Sequence, residues 1–188
     1  MQLGNSASRW GSVSKFLHWT IALCILGAII TIVIRSYLDF EDLEQRATMA
    51  TLMDTHRSLG LTALVLGLFR IVWIMIQKRP EMPATLNEFD RGAATWVHRS
   101  IYGLVILMPV TGWIASALFG VEFQWFYLFD VVKIADKNVA AVAPFYYAHV
   151  VLFYVLFTVL VVHISAAIWH HFSQRDNTLK RMLPGGGE

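Results

Sequence analysis

Apolar residues along this chain gather in four long blocks separated by shorter polar stretches. The blocks cover residues 14–37, 55–77, 94–118 and 146–172. Each exceeds the ~20 residues needed to cross a hydrocarbon core about 30 Å thick, and none alternates with the two-residue period of a membrane strand. The pattern predicts an all-α membrane protein, a four-transmembrane-helix bundle built as a single domain over 1–188. Of the connections, 39–54 is polar and acidic, and 78–90 carries Pro80 and Pro83. The longest, 119–144, mixes aromatic residues with Asp130, Lys133, Asp136 and Lys137 and reads as a candidate interfacial helix. No internal repeat, low-complexity segment or apolar heptad stands out, and residues 185–187, three glycines, read as a frayed tail.

Composition agrees with the blocks. Of 188 residues, 56% are hydrophobic and 15% charged, and the mean hydropathy is +0.54. A soluble domain, a disordered segment, a nucleic-acid-binding arm and a disulfide scaffold are all poor fits, and most of the surface should face lipid. Cys24 is the sole cysteine, and a net charge of +2 is too small to indicate an anionic partner. Lys and Arg are distributed unevenly. Arg9, Lys15, Lys78, Arg79, Arg91, Arg99, Arg175, Lys180 and Arg181 fall at the end that holds both termini. Arg35, Arg46, Arg57, Lys133 and Lys137 fall at the other, among eight carboxylates between Asp39 and Asp136. The excess of positive charge predicts cytoplasmic termini. The length of the first block, and the lack of a small-x-small site before Arg35, favour a retained helix over a cleaved signal peptide.

All seven histidines lie within or at the edge of a predicted span: His18, His56, His98, His149, His163, His170 and His171. Ionisable side chains in a membrane are costly, so each is a candidate functional residue. His149 and His163 are separated by 14 residues, a rise of about 21 Å and a rotation about 40° short of four full turns, so both project from one helix face at two depths. His56 is level with the outer of the two and His18 with the inner; on depth alone His98 competes with His18. Two cross-helix histidine pairs in a four-helix bundle suit two bis-imidazole haems, whose irons would pass single electrons across the bilayer. Zinc would ask for four ligands at one depth, and covalent c-type attachment needs a C-x-x-C-H that is missing.

Arg70 follows His56 by 14 residues and so sits at the inner level, where a haem propionate would give its guanidinium a carboxylate partner. Gly60 and Gly67 on the same span suit either a macrocycle lying against the backbone or a close helix contact. His170 shares a face with His163, which makes it, together with Trp19 and then His98, the candidate for contacting a small molecule beneath the inner pair. The other tryptophans read mainly as belt and packing residues.

His18-Trp19 near the start of the first span, H-R-S-L-G from His56 with an arginine 14 residues on, M-P-V-T-G from Met108, the His149 and His163 pair, and the closing H-H-F-S-Q-R-D-N-T-L-K-R-M-L-P from His170 together resemble the bacterial cytochrome b561 family over nearly the whole chain. The resemblance implies a multi-pass protein of the bacterial inner membrane holding two haem b groups. It assigns the outer haem iron to His56 and His149 and the inner one to His18 and His163, which resolves the competition with His98. It also implies exchange of electrons with ubiquinone, with superoxide as an electron donor on the outer side. No residue that would contact superoxide is legible. The alternative is a membrane-anchoring cytochrome b subunit that passes electrons from a partner dehydrogenase or hydrogenase to quinone. A cation transporter using the histidines is a third reading. Transmembrane ascorbate oxidation, typical of six-span relatives, is disfavoured by the four-span count.

Overall fold

The computed structural model describes residues 2–82 and 86–185; Gly186 and Gly187 of the glycine tail lie outside the described residues. Four long helices form the body: α1 (Ser12–Ser36), α2 (Leu43–Ile76), α3 (Glu88–Phe119) and α4 (Val142–Trp169). All four are long and apolar enough to cross a membrane. Because the spans are even in number, both termini emerge at one end of the bundle, here called the terminal end. The α1–α2 and α3–α4 connections lie at the other, the hairpin end.

Two helices begin well before the apolar blocks that announced them. The Asp42 side chain caps α2, accepting from the amides of Glu44 and Gln45, and the stretch from Leu43 to Asp54 contains strong helix formers despite its polarity. Most of the acidic 39–54 connection is therefore helix, and His56 sits more than three turns inside α2 rather than at its end. Asn87 caps α3 through the amide of Asp90, and Gly120 closes α3 in the left-handed conformation (φ 87°).

The expected interfacial helix within 119–144 does not form. A two-stranded antiparallel hairpin takes its place, β1 (Gln124–Trp125) against β2 (Phe129–Asp130), with Trp125 opposite Phe129. Phe126 and Tyr127 form its turn with positive φ (46° and 61°). What compensates for this unfavourable backbone is anchoring to α2. The Phe126 amide donates to Ser58 Oγ (3.0 Å) and the Trp125 indole donates to Thr62 Oγ1 (2.9 Å). Trp125 also stacks on Phe129, with ring centroids 5.0 Å apart. A short 3-10 turn (Val139–Ala141) then leads into α4, whose Pro144 falls in the first turn, where no intrahelical N–H is needed.

Adjacent helices pack as α1 on α2, α2 on α3 and α3 on α4. The buried side of α1 is Ser14, Leu17, Ile21, Cys24, Ala28 and Thr31, a three-four spacing typical of helix pairs. The buried residues of α2 are Ser58, Ala63, Leu64, Gly67, Arg70 and Ile74. By contrast α4 buries only Leu156. Outward-facing apolar residues such as Phe16, Leu23, Phe69, Val72, Tyr154 and Ile164 are exposed, as a lipid-facing surface requires.

The chain ends interlock at the terminal end. Lys15 Nζ donates to the Leu183 carbonyl (3.0 Å) and the Trp19 indole to that of Met182 (2.9 Å). Arg181 reaches the carbonyls of Ser8 and, at 2.7 Å, Glu81.

Candidate functional site

The structure brings four histidines together as two cross-helix pairs at different depths. His56 of α2 faces His149 of α4 with ring centroids 6.1 Å apart. His18 of α1 faces His163 of α4 at 6.3 Å. Two metal–nitrogen bonds of about 2 Å, with half a ring on either side, separate two imidazoles on opposite faces of one metal by about 6 Å. Both pairs stand at about that distance, with ring planes 83° and 69° apart. No cluster of three or more His, Cys, Asp or Glu side chains able to hold a bare metal ion occurs among the described residues. The donor set therefore suits a metal that brings its own equatorial ligands.

Second contacts fix the hairpin-end pair. His56 Nδ1 lies 3.0 Å from the Ala28 carbonyl, and His149 Nδ1 lies 2.8 Å from that of Met108. Each ring therefore donates its Nδ1–H to the backbone and keeps the Nε2 lone pair for a metal. The M-P-V-T-G segment builds the second of these supports. Pro109 lies inside α3. The Met108 carbonyl also accepts from Thr111 Oγ1 (2.7 Å), and Gly112 leaves room for the imidazole, since a Cβ there would come within 2.8 Å of the His149 ring. Sequence reasoning missed Ala28, Met108, Thr111 and Gly112 as supports; only the motif around Met108 carried a signal, because backbone acceptors leave no trace in residue type.

At the terminal end His98 also approaches His163, with centroids 5.3 Å apart, closer than His18 but about 1 Å short of the two-ligand separation. Arg70 is 7% exposed. Its Nη1 donates to the Ser14 carbonyl at 2.6 Å, so the guanidinium has one backbone partner and further donors to offer. Ser14 is fully buried, and its hydroxyl accepts from the Trp73 indole (3.0 Å) and donates to Asn5 Oδ1 (2.7 Å). This chain of contacts ties α1, α2 and the N-terminal segment together beside the pair. The two glycines of α2 differ in their surroundings. A Cβ on Gly67 would meet Val105 at 2.8 Å, a close helix contact, whereas Gly60 faces open space.

The small-molecule candidates differ in what they have free. Trp19 packs edge-on against His18, and its one donor is engaged by Met182. His170 opens a π-helical turn (His170–Gln174) that ends at Arg175 in the left-handed conformation, returning the chain so that Asp176 Oδ2 lies 2.7 Å from His170 Nδ1. Burial pushes the Asp176 carboxyl up, but the Thr178 amide and His170 outweigh it and leave its pKa below the ordinary value. Asp176 was not singled out from sequence, although it lies in the closing motif.

Four spanning helices carrying two intramembrane histidine pairs define a membrane haem protein of the cytochrome b type. The chain matches the family described as Prokaryotic cytochrome b561 over residues 9–185 and belongs to it. It is similar to Cytochrome b561 homolog 2 of Escherichia coli (strain K12), 29% identical over 97% of this chain and 95% of the relative. Cytochrome b561 homolog 1 of the same organism is 24% identical over 94% and 98% of the two chains. A Yersinia pestis protein named Probable superoxide oxidase CybB is 27% identical over 89% and 92%. Membership makes this chain a multi-pass bacterial membrane protein of electron transfer and implies a b-type haem.

Proposed function

We propose that the chain holds two b-type haems, one between His56 and His149 and one between His18 and His163, and catalyses oxidation of superoxide with reduction of ubiquinone. The observation that carries this reading is the pair of histidine couples 6.1 and 6.3 Å apart, one from α2 and α4 and one from α1 and α4. A b-type haem held by each pair would supply one-electron oxidation and reduction. The residues supply the rest. Backbone carbonyls of Ala28 and Met108 orient the outer histidines. Arg70 offers its remaining donors to a carboxylate at the inner level, and His170, when both its ring nitrogens carry a proton, donates Nδ1–H to Asp176 and Nε2–H to a quinone oxygen. The excess of Lys and Arg at the terminal end supports an orientation in a bacterial inner membrane with that end on the cytoplasmic side. The overall change balances as two superoxide anions plus one quinone and two protons giving two dioxygen molecules and one quinol. Superoxide is favoured as donor by the name of the Yersinia relative, Probable superoxide oxidase CybB.

Haem extraction from purified protein, combined with rapid mixing against superoxide, tests this. Two non-covalent b haems per chain, reduced faster than superoxide dismutes, are the expected result. A single haem would refute the two-site reading. Haems that superoxide leaves oxidised, but that a co-purifying dehydrogenase reduces, would favour the anchoring-subunit reading.

A further inference from the structure

At the hairpin end, two arginines near the His56 and His149 pair are not fully matched by acidic partners. Arg57 follows His56 directly, and its Nη1 pairs with Asp54 Oδ1 at 2.8 Å. Its guanidinium lies 5.8 Å from the Phe123 ring centroid. Arg35 is seven residues beyond Ala28 on α1, two turns and about 10 Å further out on the face whose carbonyl accepts from His56. Among the described residues Asp54 is the only carboxylate ion-paired with either, and the Nε atoms of both Arg35 and Arg57 are buried without a hydrogen-bond partner. Two further acidic groups of this end are occupied locally: Asp42 caps α2 and accepts from Gln45, and Asp39 accepts from the Glu41 amide.

Two half-buried arginines at one end of the bundle, each with a buried Nε that lacks a partner and with only Asp54 paired to either, carry unmet positive charge and unmet hydrogen bonds. Such a pair is costly unless an anion completes it, and a planar carboxylate matches guanidinium geometry. We propose that Arg35 and Arg57 form a carboxylate clamp for a propionate of the haem held between His56 and His149. This rests on the two-haem reading above and extends it by naming what secures the outer group. The two guanidiniums, set against the single Asp54 carboxylate, would offset the negative charge of the propionate and so favour the reduced form of that haem.

The test uses the full-length protein purified in detergent, as Arg35→Gln, Arg57→Gln and Arg57→Lys. The outer haem is identified as the one missing from His149→Ala. Each Gln substitution is expected to speed transfer of that haem to apomyoglobin about tenfold and to lower its potential, leaving the inner haem unchanged. Arg57→Lys should restore the potential but not the retention, because an ammonium keeps the charge and loses the fork. If wild-type protein contains two haems yet both Gln variants keep the outer one at wild-type rate and potential, the clamp is wrong and the two-haem reading stands. Should those variants only slow reduction by an anionic donor, in a salt-dependent way, the arginines receive a free anion and the propionate assignment is overturned. Should Arg57→Gln fail to fold, judged by helix content and the inner haem, Arg35→Gln alone decides the matter. A wild-type count of one haem would refute the underlying reading instead.

Discussion

His149 of α4 directs Nδ1 to the main-chain oxygen of Met108 on α3, 2.8 Å away, and the ring occupies space that exists because residue 112 has no side chain. A Cβ at Gly112 would fall 2.8 Å from both Cε1 and Nδ1 of the imidazole. Helix backbone on one side and a ring tied to a backbone acceptor on the other leave little freedom to relax. Gly112→Ala should therefore displace His149 and cost the outer haem while sparing the inner. Pyridine haemochrome analysis should give about one haem per chain in place of two, with the helix content unaltered.

Ser58 does two jobs from a position 1% exposed. Its hydroxyl donates to the Asp54 carbonyl one turn back (2.8 Å) and accepts from the Phe126 amide (3.0 Å), which holds the hairpin turn against α2. Ser58→Ala would leave that amide without its partner, a loss of about 1–3 kcal/mol. We expect faster hydrogen exchange at residues 123–130 and earlier proteolysis there, with the Trp125 indole still held by Thr62. Unchanged exchange would mean that Trp125 alone anchors the hairpin.

How much of this was legible in the sequence depends on which physical force wrote each feature. Lipid demands long apolar runs, so four helices could be read directly, and the high cost of histidine in lipid made the four paired rings conspicuous. The same solvent hides packing. Leu17 and Ile21 are buried while Phe16 and Leu23 are exposed, yet all four are apolar, so the three-four stripe of α1 does not stand out as a heptad. The first turns of α2 were missed because a helix outside the hydrocarbon needs capping rather than hydropathy, and Asp42 gives a local signal that an apolar window overlooks. The hairpin at Gln124–Asp130 was misread as helix because its turn uses Phe126 and Tyr127 at positive φ, without the Gly or Asn that would mark it. Its stability comes from Ser58 and Thr62, more than sixty residues away in sequence.

The Asp176 carboxyl has a pKa below its ordinary value, so it is more readily ionised in the folded chain than in the unfolded one. Its contribution to stability is then fully present above about pH 4, the unfolded carboxylate value, and is lost as pH falls through the lower, folded value. Asp176→Asn should melt earlier than wild type from pH 8 down to about pH 5, and the gap should close in stronger acid. A gap that instead widened on acidification would mean that the protonated acid, and not the carboxylate, supports the turn.

His170 and Asp176 also allow the quinone proposal to be separated from a purely structural role. The ring's Nδ1 faces Asp176 Oδ2 at 2.7 Å, leaving Nε2 as the nitrogen able to serve a ligand, while Trp19 has spent its donor on Met182. His170→Ala should slow quinone reduction about a hundredfold, in the range for loss of a positioned proton donor, with two haems retained and their reduction by the outer donor unaffected. Asp176→Asn keeps the ring but loosens its orientation, and should slow the same step about tenfold. Trp19→Phe, which removes only the indole N–H, should leave quinone reduction near wild type. Rapid-mixing spectra that follow haem reoxidation by added quinone distinguish these outcomes. If Trp19→Phe impaired reoxidation more than His170→Ala did, the quinone would have to be placed against α1, beside Trp19, instead of under the π-helical turn.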